Sequence, residues 1–215
     1  MTTEPASAHD PQEDLPALDQ RDLNADPFEQ FTDWYETALR SELPEPTAMT
    51  LATADQEGRP AARVVLLKSH DRRGFVFHTN YQSRKVLEID RNPYAALVLF
   101  WQPLHRQIRI EGSVERISPR ESDAYFAGRP RGAQLAAVIS AQSGTVAERS
   151  VIERRLAELR AEFEGKEIAR PANWGGLRVV PSAFEFWQGR ENRLHDRFRF
   201  ELGPGGTWKI ERLWP

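Results

Sequence analysis

Short apolar runs separated by polar turns fill the chain from residue 48 to residue 117. The runs cover residues 48–54, 59–67, 74–79, 94–101 and 106–117, and turns such as Asp55-Gln56-Glu57-Gly58 lie between them. Runs of this length predict β-strands. Residues 94–101 are apolar throughout, as expected of a strand covered on both faces, whereas residues 107–111 alternate. We therefore predict an antiparallel meander that closes into a small barrel.

Helical signals precede and follow this β-rich region. Asp26-Pro27-Phe28-Glu29 predicts a helix in which Asp26 is the N-cap and Pro27 takes the first position. Ser118-Pro119-Arg120-Glu121 is a second capping box with proline at the first position, and Pro130 is expected to end that helix. The other predicted elements are a helix over about 147–163 and strands over 177–180, 183–188, 197–202 and 207–213.

The distribution of apolar residues predicts one domain with a tail. Residues 1–21 hold almost no apolar cluster and several Pro, Asp and Glu residues, which is typical of a disordered segment. We expect a single domain over residues 22–215. It would contain a helical insert at about 118–165 and a C-terminal segment at about 174–215.

Composition narrows the possible functions. The chain has no cysteine, so thiolate nucleophiles and Cys-ligated metals are excluded and redox chemistry requires a bound cofactor. A net charge of -3 argues against a nucleic-acid partner. No apolar stretch approaches the roughly 20 residues of a membrane span, and the N-terminus lacks a signal-peptide pattern. We expect a cytoplasmic protein.

The first candidate site is a cationic group around residues 63–85. The run Arg63-Val64-Val65-Leu66-Leu67-Lys68 is predicted to form a hairpin with residues 75–77, and alternation places Arg63 and Lys68 on opposite faces, where they can serve two anions. Ser83 is predicted to cap a short helix with Arg84 and Lys85 in its first turn, where the helix dipole disfavours cations unless a phosphate binds. Solvated surface charge is the alternative. Candidate neutral donors are Gln107, Gln142 and Ser143.

Two further groups carry candidate chemistry. Tyr125, Arg129 and Arg131 at a proline-broken helix end suit a second phosphate, although they can also be surface residues with Tyr125 packed into the core. Trp187, Arg193, His195 and Arg197 suit a flat ligand that is anionic or electron-rich, with the last three lining one side of an extended segment. A structural role for His195 with Asp196 is the alternative, and the histidines show no zinc-ligand spacing. Nucleophile-elbow, dinucleotide and Walker motifs are absent from the sequence.

Together these motifs resemble the pyridoxine/pyridoxamine 5'-phosphate oxidase family, in order and from about Arg21 to Pro215. The motifs that carry the resemblance are Arg63-Val64-Val65-Leu66-Leu67-Lys68, Thr79-Asn80 with Ser83-Arg84-Lys85, Gln107, Tyr125 with Arg129-Pro130-Arg131, Gln142-Ser143, Trp174-Gly175-Gly176, Glu185-Phe186-Trp187-Gln188-Gly189 and Arg193-Leu194-His195-Asp196-Arg197. The resemblance implies an FMN-binding split β-barrel, antiparallel and Greek-key-like with peripheral helices, that forms a homodimer with FMN at the subunit interface. It further implies vitamin B6 biosynthesis or salvage, in which pyridoxine or pyridoxamine 5'-phosphate is oxidised to pyridoxal 5'-phosphate. O2 would be the acceptor, with release of H2O2 and, from the amine, ammonia.

The resemblance also implies residue roles. The FMN contacts would be Arg63, Val64, Val65, Leu66, Leu67, Lys68, His78, Thr79, Arg84, Lys85, Gln107, Gln142, Ser143, Trp187 and Arg197. The substrate contacts would be Lys68, Tyr125, Arg129, Ala133, Arg193, Leu194 and His195, with Arg193 and His195 catalytic against the pyridine ring. The chain departs from the family at Ala133, where a serine often helps to hold the substrate phosphate, and around residues 10–13, which lack the Arg and Tyr of some members.

Two other functions fit part of this pattern. One is a related FMN oxidase acting on another flat substrate, as in phenazine pathways. The other is a non-enzymatic flavin- or haem-binding protein with the same barrel. Tyr125 with Arg129-Pro130-Arg131 favours the phosphorylated pyridine, because a phenazine has no phosphate to hold.

Overall fold

A computed structural model describes residues 17–215, which form five α-helices and nine β-strands. The helices are α1 (Pro27–Arg40), α2 (Arg84–Ile89), α3 (Pro119–Ala127), α4 (Arg131–Ile139) and α5 (Arg149–Glu162). The strands are β1 (Ala48–Ala54), β2 (Pro60–Leu66), β3 (Ser69–Asp71), β4 (Gly74–Asn80), β5 (Tyr94–Trp101), β6 (Arg106–Arg116), β7 (Trp174–Gln188), β8 (Asp196–Leu202) and β9 (Trp208–Arg212). The predicted mainly-β class with helices is confirmed. Among these residues no helix combines the length and the apolarity needed to cross a lipid bilayer.

The predicted helix starts are confirmed in atomic detail. The Asp26 carboxylate accepts a hydrogen bond from the Phe28 N–H at 2.9 Å, with Pro27 at the first position of α1. At α3 both hydrogen bonds of the capping box between Ser118 and Glu121 are present. Such caps satisfy N–H groups that have no partner inside the helix, so a local sequence motif is enough to fix where the helix begins.

The strand order corrects the predicted hairpin and meander. Strand β2 pairs with β1, with Leu51 opposite Arg63, and the hairpin partner of β4 is the short strand β3, with Asp71 opposite Gly74. The sheet order is β2-β1-β5-β6-β7-β4-β3, with β8 beside β7 and β9 beside β8. Strands that follow one another in sequence are therefore not always neighbours. The meander was wrong because strand pairing depends on long-range contacts that a local pattern does not encode.

Two further elements differ from the prediction. The strands predicted at 177–180 and 183–188 are one continuous strand, β7, which runs through Pro181. Helix α4 was not predicted, because Pro130 was interpreted only as the end of a helix. Pro130 is also the N-cap residue of α4, with φ −53° and an extended ψ of 139°, so it separates two helices.

The described chain divides into two compact units. The first, here called the terminal unit, contains the described residues up to Pro46 together with Val98–Ile110 and Ser182–Pro215. The second, the central unit, contains Thr47–Leu97 and Glu111–Pro181. Strands β5, β6 and β7 contribute residues to both.

Each unit has its own aromatic packing. In the terminal unit, Trp34 of α1 packs edge-on against Phe186 of β7 with ring centroids 5.4 Å apart. In the central unit, the insert helices bury a cluster around Trp174 and Phe126, whose ring centroids are 5.3 Å apart. Burial of such side chains is the main stabilising term for both units, at roughly 1.5–3 kcal/mol each.

The predicted tail lies mostly outside the described residues, which begin at residue 17. Among the described residues, packing against the fold already begins at Leu18, before the predicted boundary at Arg21. Leu18 is buried, and its N–H donates to the Asp196 carboxylate at 3.1 Å. Arg212 also donates to Asp196, at 2.7 Å. The packed chain therefore includes Leu18, because one apolar side chain and one backbone hydrogen bond hold it.

Candidate functional site

A cavity of about 590 Å³ lies in the central unit. Its walls come from β2, from Lys68 shortly after β2, from β4, from the start of α2 and from the segment that follows α4. It is lined by Ala61, Ala62, Arg63, Val64, Val65, Leu66, Lys68, His78, Thr79, Arg84, Lys85, Gln142 and Ser143. Eleven of these thirteen residues were predicted to bind a cofactor, so the structure brings that cationic group together.

A buried carboxylate lies beneath the cations of this cavity. Glu88 of α2 is 6% exposed and accepts hydrogen bonds from Arg63 at 3.0 Å and from Arg84 at 2.7 Å. The Thr53 hydroxyl donates to the same carboxylate at 2.5 Å. Burial by itself raises the pKa of Glu88, but the hydrogen bonds from Thr53, Arg84 and Arg63 outweigh it and the pKa is lowered. Glu88 is therefore ionised at neutral pH and fixes both guanidinium groups.

Lys85 is held differently, by neutral groups. It is 8% exposed, and its Nζ donates to Gln142 at 2.9 Å and to the Thr79 hydroxyl at 3.3 Å. Burial, followed by the charge of Arg63, lowers the pKa of Lys85, which the charge of Glu88 only partly opposes. The interpretation of Lys85 as solvated surface charge is thus wrong, whereas the Arg84 side chain is 67% exposed.

The segment after α4 is fastened to this wall of the cavity. The Asn80 side chain donates to the Ser140 carbonyl at 2.8 Å, and the Ser143 hydroxyl accepts from the Arg84 N–H at 3.2 Å. Ser143 has a φ of 71°, a backbone region that non-glycine residues rarely occupy. Ser83 is the N-cap residue of α2 as predicted, but its side chain makes no capping hydrogen bond and its Oγ is buried without a partner among residues 17–215.

Arg63 and Lys68 line the same cavity, which corrects the prediction that they face opposite ways. Strand β2 ends at Leu66, so alternation does not extend to Lys68. The Lys68 N–H donates to the Val76 carbonyl of β4 at 2.9 Å. Leu67, predicted as a cofactor contact, is 2% exposed and is not among the residues that line the cavity.

An aromatic cluster adjoins His78 of the cavity wall. The His78 ring stacks on Tyr125 with centroids 3.8 Å apart and lies 5.3 Å from the Trp174 ring. The Arg129 guanidinium lies 4.5 Å from the centroid of Trp174. Burial first, then the charges of Arg129 and Lys68, lower the pKa of His78 to about 4. The imidazole is therefore neutral at neutral pH, beside two cations.

The rest of the predicted phosphate group does not converge on this cluster. Arg131 donates to the carbonyl of Phe163 instead, so it joins α4 to the end of α5. Ala133 is half-buried in the first turn of α4, and its methyl group offers no hydrogen-bond donor.

The C-terminal candidates lie in the terminal unit. The ring centroids of Trp187 and His195 are 4.6 Å apart, and His195 Nδ1 accepts from the Arg190 N–H at 3.0 Å. Burial, then the charges of Arg193 and Arg197, lower the pKa of His195. Because Nδ1 accepts a hydrogen bond, the proton of the neutral ring is on Nε2.

The segment before His195 is not extended, which corrects the prediction of a spacing-two array. Residues Glu191–Arg193 form a 3₁₀ turn in which Asn192 and Arg193 have φ values of 53° and 62°. Strand β8 begins only at Asp196. Arg193 is exposed, and Leu194 is 68% exposed.

Arg197 and Gln107, two further predicted cofactor contacts, lie on strands of the terminal unit. Arg197 donates to Glu185 at 2.9 Å and to the Trp214 carbonyl at 2.9 Å. Glu185 also accepts from Arg109 at 3.1 Å, so one carboxylate holds two guanidinium groups in this unit as well. Gln107 is half-buried on β6.

Several contributing residues were missed from the sequence. Ala61 and Ala62 of β2 line the cavity, and Thr53 and Glu88 support its cations from below. The position of Glu88, four residues after Arg84 in a short helix, was the available signal. Trp174 enters the sequence pattern only as part of a Trp-Gly-Gly motif, yet it contacts both His78 and Arg129.

Comparison with known proteins assigns the family. Residues 35–163 match the family described as pyridoxamine 5'-phosphate oxidase. The chain belongs to the pyridoxamine 5'-phosphate oxidase family. Residues 174–215 match the region described as the pyridoxine 5'-phosphate oxidase C-terminal dimerisation region. The resemblance inferred from the motifs is therefore confirmed.

Curated relatives match almost the whole chain. The pyridoxine/pyridoxamine 5'-phosphate oxidase of Cupriavidus necator is 54% identical over 201 residues, which are 94% of each chain. The enzyme of the same name from Trichormus variabilis is 52% identical over 201 residues, again 94% of each chain. Among solved structures, PhzG from Burkholderia lata in complex with tetrahydrophenazine-1-carboxylic acid has a TM-score of 0.87 and 32% identity, and covers 94% of this chain and 99% of its own. The expected split-barrel fold is thereby confirmed.

Proposed function

We propose that this chain is an FMN-dependent oxidase that converts pyridoxine 5'-phosphate or pyridoxamine 5'-phosphate to pyridoxal 5'-phosphate in vitamin B6 metabolism. O2 is the proposed acceptor, with H2O2 released and, from the amine, ammonia. The observation that carries the proposal is the cavity in which Arg63, Lys68, Arg84 and Lys85 meet, in a chain of this family. Curated relatives with this activity in their names support the same reaction.

The cavity fits the phosphate end of FMN in charge and in donors. Three cations, Arg63, Arg84 and Lys85, are offset by one carboxylate, Glu88, which leaves two positive charges. A phosphate monoester carries about −1.5 to −2 charges at neutral pH. Gln142 and Ser143 add neutral hydrogen-bonding groups at the same wall. The volume also lies within the usual range of about 300–1,000 Å³ for cofactor sites.

We assign the cofactor to the predicted residues that line the cavity other than His78, whose ring stacks on Tyr125 instead. Arg63, Arg84 and Lys85 would hold the phosphate, and Val64, Val65 and Leu66 would supply apolar wall. Gln107, Trp187 and Arg197 of the terminal unit stay predicted cofactor contacts. When bound, FMN would supply the redox chemistry, namely hydride acceptance and electron transfer to O2, while these residues would hold and orient it.

The substrate is proposed to use a second set of residues. Lys68, Tyr125 and Arg129 would hold its 5'-phosphate, and Arg193 and His195 would lie against its pyridine ring. His195 is suited to that role because its neutral ring presents a donor at Nε2, with Nδ1 fixed by the Arg190 N–H. Leu194 stays a predicted contact, and Ala133 can contribute only van der Waals contact.

The proposed assembly is a homodimer with FMN at the subunit interface. The match of residues 174–215 to a dimerisation region supports a dimer. Within that region Trp214 is 91% exposed and Leu194 68% exposed, as expected of apolar side chains that a partner covers. Light scattering on the FMN-loaded protein tests the assembly. A cytoplasmic location stays a prediction.

A phenazine substrate is the alternative, because the likeness to PhzG extends over 94% of this chain. The Arg129 guanidinium beside Trp174, with Lys68 nearby, favours a phosphorylated ligand instead. The test is H2O2 release by FMN-loaded protein in air, given pyridoxine 5'-phosphate, unphosphorylated pyridoxine or a dihydrophenazine carboxylic acid. Turnover of the phosphorylated compound alone supports the proposal, whereas turnover of the phenazine alone contradicts it.

A further inference from the structure

Two neighbouring side chains of the central unit have buried polar atoms without hydrogen bonds. Both ring nitrogens of His78 and Nη1 of Arg129 are buried, and none of these three atoms has a partner among the described residues. Buried polar atoms nearly always have a partner, because an unsatisfied one is costly. Both side chains lie against Trp174, at 5.3 Å and 4.5 Å. They therefore belong to one cluster in which two buried donors, the imidazole N–H and a guanidinium N–H, lack an acceptor.

The charge around His78 indicates what the cluster can bind. Lys68 and Arg129 both lower the pKa of His78, after burial, and the ring stays neutral at neutral pH. A neutral imidazole has one N–H donor and one acceptor nitrogen. Two cations and a neutral donor thus converge from β4, from the chain after β2 and from the chain after α3. Such a set suits a phosphate, which needs several donors at once.

We propose that the imidazole of His78 donates a hydrogen bond to the 5'-phosphate of the substrate and so helps to select phosphorylated over unphosphorylated B6 vitamers. The inference rests on the proposed function and deepens it, because it adds a side chain to the set Lys68, Tyr125 and Arg129. His78 would also add a neutral side-chain donor to a site in which Ala133 offers no donor.

The surroundings of the ring favour the substrate over the cofactor. His78 stacks on Tyr125 at 3.8 Å, and both rings lie within 18° of parallel to Trp174. The Arg129 guanidinium lies over the Trp174 ring. Of these neighbours, Tyr125 and Arg129 are proposed ligands of the substrate phosphate. The cations proposed for FMN are instead bound to a carboxylate, Glu88, with Arg63 at 3.0 Å and Arg84 at 2.7 Å.

The decisive variant is His78→Phe, which keeps a flat ring beside Tyr125 and removes the donor. His70→Phe is the matched control, because His70 is a half-buried histidine of β3 whose ring stacks on Phe75 at 6.1 Å. His78→Gln is the rescue variant, since its amide keeps an N–H without the ring. Each FMN-loaded protein is assayed for kcat and KM with pyridoxine 5'-phosphate and with pyridoxine. Each is also titrated with pyridoxal 5'-phosphate and with pyridoxal by absorbance, and its Kd for FMN is measured by fluorescence.

We expect His78→Phe to raise KM for pyridoxine 5'-phosphate and Kd for pyridoxal 5'-phosphate by about tenfold, as loss of a hydrogen bond to a charged group does. The values for the unphosphorylated compounds, kcat and the Kd for FMN should change less than about twofold. His78→Gln should recover part of the loss, and His70→Phe should behave as wild type.

The outcomes separate the two proposals. An unchanged preference for the phosphorylated compounds in His78→Phe overturns the role of His78, as does a weakened FMN affinity with that preference intact. If the wild type does not turn over pyridoxine 5'-phosphate, the proposed oxidase function fails. Even then, tenfold weaker binding of pyridoxal 5'-phosphate, but not of pyridoxal, by His78→Phe would still support the phosphate contact. Equal wild-type binding of the two compounds overturns it.

Discussion

Replacing Glu88 by glutamine should destabilise the protein in the absence of cofactor. The substitution keeps the shape of the side chain but removes the charge that faces Arg63 at 3.0 Å and Arg84 at 2.7 Å. Breaking a fully buried ion pair costs about 3–5 kcal/mol, and an exposed one costs about 0–1 kcal/mol. The Arg63 side chain is 21% exposed and that of Arg84 is 67% exposed, so the cost lies between these limits. We expect about 2–3 kcal/mol.

The dependence on pH provides a second check on the same variant. The folded-state pKa of Glu88 is lowered, so its carboxylate stabilises the fold fully above its ordinary value near 4.5. That contribution is lost as the pH falls through the lowered folded-state value. The difference in unfolding free energy between wild type and Glu88→Gln should therefore be constant from pH 8 to about pH 5.5 and shrink below about pH 4.5.

The assay is urea unfolding of the protein without FMN, followed by tryptophan fluorescence at several pH values. Glu36→Gln is the control, because Glu36 forms an exposed pair with Arg40 at 3.3 Å and should cost less than about 0.5 kcal/mol. At neutral pH the loss in Glu88→Gln corresponds to a fall in Tm of about 4–12 °C for a chain of this size. A loss below about 0.5 kcal/mol, or one that stays the same down to pH 4, would refute the reasoning.

Three other predictions test separate parts of the structure. Arg193→Ala and His195→Ala should depress turnover with FMN retained, whereas Lys85→Ala should raise the Kd for FMN in a fluorescence titration. Loss of FMN in Arg193→Ala or His195→Ala would contradict this division between substrate and cofactor residues. Ala133→Ser should lower KM for pyridoxine 5'-phosphate by about 2- to 10-fold, because it adds one donor worth about 0.5–1.5 kcal/mol, and an unchanged KM would show that the hydroxyl does not reach the phosphate. Gly74→Ala should destabilise by more than about 3 kcal/mol in urea unfolding, since its Cβ would lie 2.1 Å from the Val179 carbonyl oxygen at a φ of +134°, whereas Gly58→Ala, with open space at +77°, should cost about 1 kcal/mol. Equal losses in the two glycine variants would contradict that steric argument.

Local features of the fold were predictable from the sequence, and long-range ones were not. The starts of α1 and α3 follow from caps made by residues within three positions of one another, Asp26 with Phe28 and Ser118 with Glu121. The pairing of β2 with β1 depends on which apolar faces meet in the folded sheet, and the sequence does not state it. A proline likewise has two meanings, since Pro130 separates two helices while Pro181 lies inside a strand.

The candidate site divides in the same way. The cations that line the cavity could be predicted from the sequence, because they lie near a strand end or a helix start and few residue types can bind a phosphate. The partners of those cations could not, because burial of Glu88 and the positive φ of Arg193 arise only from the folded chain. Arg131 was wrongly predicted to bind a phosphate because it lies close in sequence to Arg129. In the folded chain its guanidinium donates to the Phe163 carbonyl instead.

The two proposed anion sites differ in how their cations are balanced, and the difference has a functional consequence. On the cofactor side Glu88 satisfies Arg63 and Arg84, so the cations are in place before a ligand binds and binding costs little reorganisation. On the substrate side His78 and Arg129 keep buried donors without partners, so a phosphate there relieves an unfavourable state as it binds. Phosphorylated substrate should therefore stabilise the central unit by more than its contacts alone would give. A cofactor meant to stay bound suits the first arrangement, and a substrate recognised by its phosphate in each turnover suits the second.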